Sequence, residues 1–448
     1  VILRHDQKAS GRGLFPDLLT RTQGASGRRS AILLVLWGLL SWPGPARSEG
    51  SAPPQGSILL RDVTKATGIT FVHCDGSSGQ RYIVESVASG LALFDYNNDG
   101  LIDVYFLSGG ALKGTHYETP PQCRLYRNEG HWRFTDVTRE SGLANAGAHA
   151  LGVAVGDYDN DGFQDVYVTN WGPNVLYHNN GNGTFTEVAA KAGVSDGNQV
   201  GAGANFLDFD GDGRLDLFVA HYVVFSYEKH VPTMLSGYPI YVGPRAYEPT
   251  TASLFHNNGD GTFTDVSVQS GVTAKKGTGM GTVCLDYDND GDTDVFVAND
   301  MLPSFLWRND GRGHFTEVGM PAGVAYNWTG DVMGNMGVGC GDYNNDGLLD
   351  LYVTHYQQQF PSLYKNLGDG LFEDVGFSSG AVAGMGHTVQ WGNDFVDFDN
   401  DGFRDLFAAM GHLQDNVELW DKRASYEATN VLMRNLGNGK FVDVSAIS

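Results

Sequence analysis

Apolar residues along this chain fall in short runs broken by Gly, Asn and Asp, and they do not form stripes of helical period. The run from Leu151 to Asp157 reads LGVAVGD. It is followed by DVYVT from Asp165 to Thr169, an apolar stretch from Val175 to His178 and another from Thr184 to Val188. Short alternating or apolar runs bounded by turn residues predict β-strands, here four in succession, named A to D. The C and D strands are linked by an Asn-x-Gly-x-Gly turn. Leu176 to Val194 reads LYHNNGNGTFTEVAAKAGV and Leu254 to Val272 reads LFHNNGDGTFTDVSVQSGV, with related copies beginning at Leu125, Leu306, Leu363 and Leu432. The turn glycines supply the positive φ that a tight hairpin needs.

The link between A and B is a nine-residue pattern, Asp-x-Asp/Asn-x-Asp-Gly-x-x-Asp. It occurs at Asp95–Asp103, Asp157–Asp165, Asp208–Asp216, Asp286–Asp294, Asp342–Asp350 and Asp397–Asp405. Six recurrences of a four-strand unit predict an all-β fold, a β-propeller of four-stranded blades. A β-helix would need much shorter repeats. Ahead of the first A strand, Ile58 to Phe71 (ILLRDVTKATGITF) carries the Asp-Val-Thr and later Gly of a D strand. The order D followed by six ABCD units predicts six complete repeats plus an N-terminal orphan strand, an incomplete seven-bladed ring. The alternative is a six-bladed ring with a decorative first strand.

This propeller is assigned to residues 57–448. Residues 1–56 differ: Arg28-Arg29 precede the apolar run Ala31 to Trp42, with Ala46-Arg47-Ser48 as a small-x-small site and a Ser/Pro-rich linker after it. The run suits a signal peptide better than a bilayer span, with a signal anchor as the competing reading. The expected location is secreted, periplasmic or cell-surface, with no membrane span in the mature chain.

Charge sharpens the picture. With 29 Lys+Arg against 52 Asp+Glu, the net charge is −23, which excludes a nucleic-acid partner for want of a basic stripe. The acids are concentrated: 22 of the 52 occupy positions 1, 3, 5 and 9 of the six loops. The expected metal ligands are Asp95, Asn97, Asp99 and Asp103; Asp157, Asp159, Asp161 and Asp165; Asp208, Asp210, Asp212 and Asp216. They continue with Asp286, Asp288, Asp290 and Asp294; Asp342, Asn344, Asp346 and Asp350; and Asp397, Asp399, Asp401 and Asp405. Hard Ca²⁺ takes six to eight oxygens, and the Gly at position 6 permits the tight turn that gathers them. An EF-hand would need a Glu at position 12, where this chain has Phe106, Val168, Val219, Val297, Val353 and Ala408. Zinc is disfavoured because no His or Cys lies inside the loops, and Mg²⁺ is second choice. Asn97 and Asn344 lower the charge of two loops, which are expected to bind more weakly. About six Ca²⁺ sites are expected, with a structural role.

These loops, the segment Tyr82 to Asp103 (YIVESVASGLALFDYNNDGLID) and Trp391 to His412 (WGNDFVDFDNDGFRDLFAAMGH) resemble the FG-GAP repeats of integrin α-subunits and the VCBS-type propellers of bacteria. The likeness is nearest to the cartilage-acidic-protein-like family, in which such a propeller precedes an ASPIC/UnbV-type region. That resemblance implies a propeller fold and calcium held by the loop carboxylates. It says little about activity.

No GxSxG, HExxH, Walker or Rossmann pattern occurs. Cys74, Cys123, Cys284 and Cys340 form no CxxC pair and read as small buried hydrophobes, with a disulfide between neighbouring blades as the alternative. The Tyr- and Pro-rich insertion Tyr222 to Ser253, with Lys229, His230 and Arg245, falls between a B and a C strand and is expected on the face opposite the loops, near Asn327-Trp328, His387 and His412. His149, His387 and His412 read individually as satisfied loop histidines. The chain reads as a binding or adhesion scaffold for a protein or glycan. A polysaccharide lyase or hydrolase on a calcium propeller is the alternative.

Overall fold

The computed structural model describes residues 58–446; the signal-peptide reading of residues 1–56 lies outside them. The fold is all-β, built from repeated antiparallel four-stranded units in the order A-B-C-D. The first unit comprises Leu91–Phe94, Asp103–Phe106, Arg124–Asn128 and Phe134–Asp136, and the second His149–Gly156, Asp165–Gly172, Val175–Asn179 and Phe185–Glu187. The third comprises Gln199–Leu207, Asp216–His221, Ser253–Asn257 and Phe263–Asp265. The fourth, fifth and sixth begin at Gly279–Leu285, Asn335–Gly341 and Gln390–Val396. Trp171 and Gly172 pair with Val200 and Gln199, which joins the second and third units into one eight-stranded sheet.

The B strands are buried, as in Asp216–His221 and Asp350–His355, because both faces of each unit are covered; only the end of the second, Trp171 and Gly172, is half-buried. One apolar cluster joins the first two units through Phe94, Tyr105, Val166 and Tyr177, and another joins the next pair through Tyr167, Leu176, Leu217 and Phe255. Phe218 and Trp307 link the third and fourth units, Phe296 and Tyr364 the fourth and fifth, Tyr352 and Leu406 the fifth and sixth. The N-terminal segment lies against both remaining faces. Ile58 packs with Trp391, Phe407 and Leu432 of the sixth unit, while the Phe71 ring stacks on Phe106 of the first at 4.8 Å. Where the sequence pattern predicts an orphan D strand, Ile58–Phe71 holds one bridging residue, Leu60, and a single helical turn, Thr64–Thr67.

That turn recurs. A one-turn helix follows each of the first five D strands (Thr138–Ser141, Ala189–Ala192, Ser267–Ser270, Gly319–Ala322, Gly376–Ser379) and ends at a left-handed glycine such as Gly142 or Gly193.

Glycines in the A strands have a different cause. A Cβ on Gly152 would stand 2.3 Å from the carbonyl oxygen of Ala202 in the next A strand, and one on Gly337 would stand 2.5 Å from that of Trp391. Neighbouring A strands therefore approach too closely for any side chain. Gly152→Ala is expected to cost about 1–3 kcal/mol by overpacking, read as a lower urea midpoint with an unchanged slope.

The insertion 222–253 holds a small hairpin, Thr233–Leu235 with Tyr238–Ile240. Its aromatic residues bury Tyr222, Phe225 and Tyr247 against Tyr82, Ile83 and Val84. Tyr241 donates to Glu85 Oε2 (2.9 Å), and its backbone N–H donates to Gln414 Oε1 (2.8 Å). Tyr222 donates to Asp300 Oδ2 at 2.6 Å. Burial pushes the Asp300 carboxyl up to about 7 against the Tyr222 hydrogen bond, which favours ionisation. Its pKa is thus higher folded than unfolded, so its contribution to stability is greatest in acid and declines as pH rises from about 4 to about 7. Asp300→Asn is expected to gain stability relative to wild type across that window, on the order of 2–4 kcal/mol by pH 8, and nothing at pH 4. Paired denaturant melts at the two pH values check this.

Candidate metal centre

Each nine-residue loop joins an A strand to a B strand and closes on itself through its own carboxylates. In the second loop Asp157 Oδ2 accepts the N–H of Gly162 (2.9 Å) and Oδ1 that of Asp161 (3.0 Å), while Asp161 Oδ1 accepts that of Phe163 (2.9 Å). The same bonds recur around Asp95, Asp208, Asp342 and Asp397. Two left-handed residues make the turn, Asn160 (φ 59°) and Gly162 (φ 92°), and their chemistry explains the Asn/Gly at position 4 and the Gly at position 6.

The ninth aspartate is the deepest. Asp103, Asp165, Asp216, Asp294, Asp350 and Asp405 are fully buried. In each, one oxygen accepts the N–H of the aromatic residue at position 2 and the other that of the asparagine ending strand C. For Asp165 these donors are Tyr158 (3.1 Å) and Asn179 (2.7 Å). That asparagine's amide donates in turn to the carbonyl of the preceding unit's position-2 residue: Asn179 to Tyr96, Asn257 to Tyr158, Asn309 to Phe209, Asn366 to Tyr287 and Asn435 to Tyr343. The loops are thereby wired from one unit to the next. The position-2 rings complete the joint, with Tyr158 on Phe263 at 5.6 Å and Tyr343 on Phe441 at 5.6 Å.

The loop carboxylates converge. Ligand-capable oxygens of Asp157, Asp159 and Asp161, of Asp208, Asp210 and Asp216, and of Asp286, Asp288 and Asp290 lie within 4.8 Å of one another. Burial, with the neighbouring loop carboxylates adding to it, pushes Asp165 and Asp294 up to about 8, Asp350 to about 7, and Asp103 and Asp405 to about 6. Asp159, Asp216 and Asp288 are raised for the same first reason. Oxygens of Asp210, Asp286, Asp288 and Asp399 are buried with no hydrogen-bond partner. An orphaned, buried carboxylate oxygen among other carboxylates is the donor set of a hard dication, so these clusters can chelate one. In the first and fifth loops the Asn97 and Asn344 amides instead donate to Asp99 and Asp346 (2.9 Å each).

The loops also receive a side chain that inspection of the nine-residue pattern alone misses. The residue before the strand-C asparagine is basic or imidazole in every unit: Arg127, His178, His256, Arg308, Lys365 and Arg434. Arg434 Nε reaches Asp399 at 2.7 Å and Lys365 Nζ reaches Asp346 at 3.7 Å. No histidine lies within the nine residues of any loop, but His178 and His256 stand beside the second and third loops. The signal was the recurrent cation one residue before Asn, but it sits some 13 or more residues from the loop and meets it only through the sheet register.

The other expected ligand-binding residues are dispersed. His230 packs on Tyr82 (4.8 Å), Trp328 on Phe377 (5.5 Å), and His412 bonds Gln357 and the N–H of Gln414. His149 bonds the carbonyls of Gly110 and Val84. All four cysteines are free. Among the described residues, no helix is long and apolar enough to cross a membrane.

An FG-GAP-like repeat matches residues 95–168, 157–219, 240–297, 286–353 and 342–408. The chain is similar to cartilage acidic protein 1 of Mus musculus, 31% identical over 234 residues covering 51% of this chain and 32% of that protein. Against the Homo sapiens protein it is 30% identical, covering 51% and 31%. It thus spans about a third of the length of these curated relatives. Among solved structures, a lectin of Agrocybe aegerita that recognises non-reducing terminal N-acetylglucosamine aligns at TM-score 0.43 and 16% identity, over 80% of this chain and 79% of that one. A rhamnogalacturonan lyase aligns at 0.39 and 15%, over 73% and 56%. At such TM-scores neither likeness bears on what the chain does.

Proposed function

We propose, from the premise that this chain belongs to the FG-GAP-like repeat family, that it is a secreted, calcium-loaded β-propeller that acts as a binding scaffold for a protein or glycan. The observation that carries the calcium reading is the recurring knot of buried, partnerless carboxylate oxygens between two strands of one unit. Oxygen donors within the loops, their flexibility and charges of three or four per site suit Ca²⁺ better than the smaller Mg²⁺, which demands a stricter octahedron. The residues that hold it in this reading are positions 1, 3, 5 and 9 of each loop, Asp95, Asn97, Asp99 and Asp103 in the first and their counterparts through Asp405 in the sixth. Calcium binding there cancels the mutual repulsion of the carboxylates and fixes each A–B hairpin.

The ring reading rests on the succession of face-to-face clusters and on the N-terminal segment that touches both the sixth and the first unit. Salt bridging of Arg81 to Asp415 adds a second link between those ends of the chain. The antiparallel order puts the insertion 222–253 on the face away from the loops, where Val231, Met234, Leu235 and Tyr238 are exposed. Exposed apolar and aromatic residues on an ordered insertion suit ligand contact. The extracellular assignment follows the apolar segment Ala31 to Trp42 and the likeness to cartilage acidic protein 1.

A glycan array and a polysaccharide-depolymerisation screen, both run with calcium, test the scaffold reading. Retention of a glycan or protein ligand that weakens on Tyr238→Ala and Met234→Ala, without product release, is expected. Release of shortened polysaccharide would replace the scaffold with a lyase or hydrolase.

A further inference from the structure

Four of the six units place a permanent cation, Arg or Lys, at the strand-C position beside the loop; the second and third place an imidazole there. His178 Nδ1 lies 3.1 Å from Asp159 Oδ2 and 3.4 Å from Asp165 Oδ1. His256 Nδ1 lies 3.3 Å from Asp210 Oδ2 and 3.3 Å from Asp216 Oδ1. In both loops the nitrogen thus faces the carboxylates of positions 3 and 9, so the arrangement is repeated and not the accident of one rotamer.

Both Nδ1 atoms are buried and lack a partner with hydrogen-bond geometry, and Asp210 Oδ1 beside His256 is orphaned as well. The separations also suit ligands that share one ion. Ligands held at about 2.0–2.1 Å from one ion stand about 2.9–3.4 Å apart in octahedral or tetrahedral arrangement. The four N···O distances all fall in that interval. Each ring is also fixed from one side, His178 edge-on to Tyr158 at 6.3 Å and His256 edge-on to Phe209 at 6.0 Å. Both aromatic residues occupy position 2 of the same loop, whose N–H anchors the ninth aspartate.

We propose that the second and third loops are mixed carboxylate–imidazole sites that take a borderline transition-metal dication of the Zn²⁺ class in preference to Ca²⁺, with His178 and His256 as the nitrogen ligands. This rests on the reading that the loops hold divalent cations. Calcium gains little from a nitrogen donor, whereas imidazole with two carboxylates is a common zinc set. Each imidazole would bind through the lone pair of Nδ1, the nitrogen that faces the carboxylates. The four loops flanked by Arg or Lys offer no such donor and remain oxygen sites.

The full chain is dialysed against millimolar Ca²⁺ with micromolar Zn²⁺ and its metal content measured by elemental analysis, alongside His178→Gln, His256→Gln and the double variant. Wild type is expected to hold one zinc for each histidine loop, each single variant to lose one, and the double variant to lose both while regaining calcium. Co²⁺ in place of Zn²⁺ gives a second reading on the same proteins, its visible absorption falling by about half in each single variant. Equal zinc in wild type and double variant, whatever the calcium content, overturns the inference. Zinc that depends on both histidines in a chain that takes up no calcium upholds it and removes the calcium reading instead.

Discussion

Excess EDTA is expected to lower the thermal midpoint of this protein by on the order of 15 °C, the largest effect of any single change in conditions. A site kept at a hundred times its dissociation constant contributes about 2.7 kcal/mol, and six such sites together exceed 10 kcal/mol. The loops explain why the loss is not local. From the second unit on, the ninth aspartate anchors the strand-C asparagine, whose amide reaches the preceding unit, so a loop that opens under its own repulsion loosens two units. Restoring calcium should restore the midpoint, and Mg²⁺ at the same concentration should restore less. An unchanged midpoint in EDTA would mean that the carboxylates are stable as found, with protons or the flanking Arg and Lys as their only counter-charges.

Asp165→Ala is expected to be the most damaging single substitution in a loop, costing on the order of 3–5 kcal/mol. Two buried N–H groups, those of Tyr158 and Asn179, lose their acceptor at once, and each unsatisfied donor costs about 1–3 kcal/mol. In the proposed calcium site a ligand would be lost as well. Asp161→Ala, at the exposed rim of the same loop, removes a ligand and the acceptor for the Phe163 N–H, whose donor can turn to water. The two are separable by urea melts with and without calcium. The Asp161→Ala deficit should shrink towards zero in EDTA, while most of the Asp165→Ala deficit should persist. A cost for Asp165→Ala below about 1 kcal/mol would show that this aspartate does not carry the loop.

The strands were legible because each is short, apolar or alternating, and bounded by a turn: Leu151–Asp157 read from the sequence meets His149–Gly156 in the structure. The loop positions were legible because Asp and Gly at fixed spacing have few other physical uses. The one-turn helices were not, because Thr-Arg-Glu-Ser or Ala-Ala-Lys-Ala is too short to show a period; Gly142 and Gly193 in the left-handed conformation were the available stop signals. The close approach of Gly152 to Ala202 was hidden for a related reason, since a glycine in a strand looks the same whether it bends or admits a neighbour. His178 and His256 escaped because their nearness to the loops is created by strand pairing, Val166 opposite Tyr177 and Leu217 opposite Phe255, and leaves no mark within the nine-residue pattern. The insertion showed its composition but not its contacts: Tyr222 and Tyr241 are committed to Asp300 and Glu85, while Met234 and Tyr238 of the hairpin stay exposed.

The measurement that matters most is the metal content of the purified chain after dialysis against calcium without zinc. The account predicts about one calcium for each of the six loops, falling by one when Asp294 and Asp290 are both replaced by Asn. A folded chain with no stoichiometric divalent metal would contradict it.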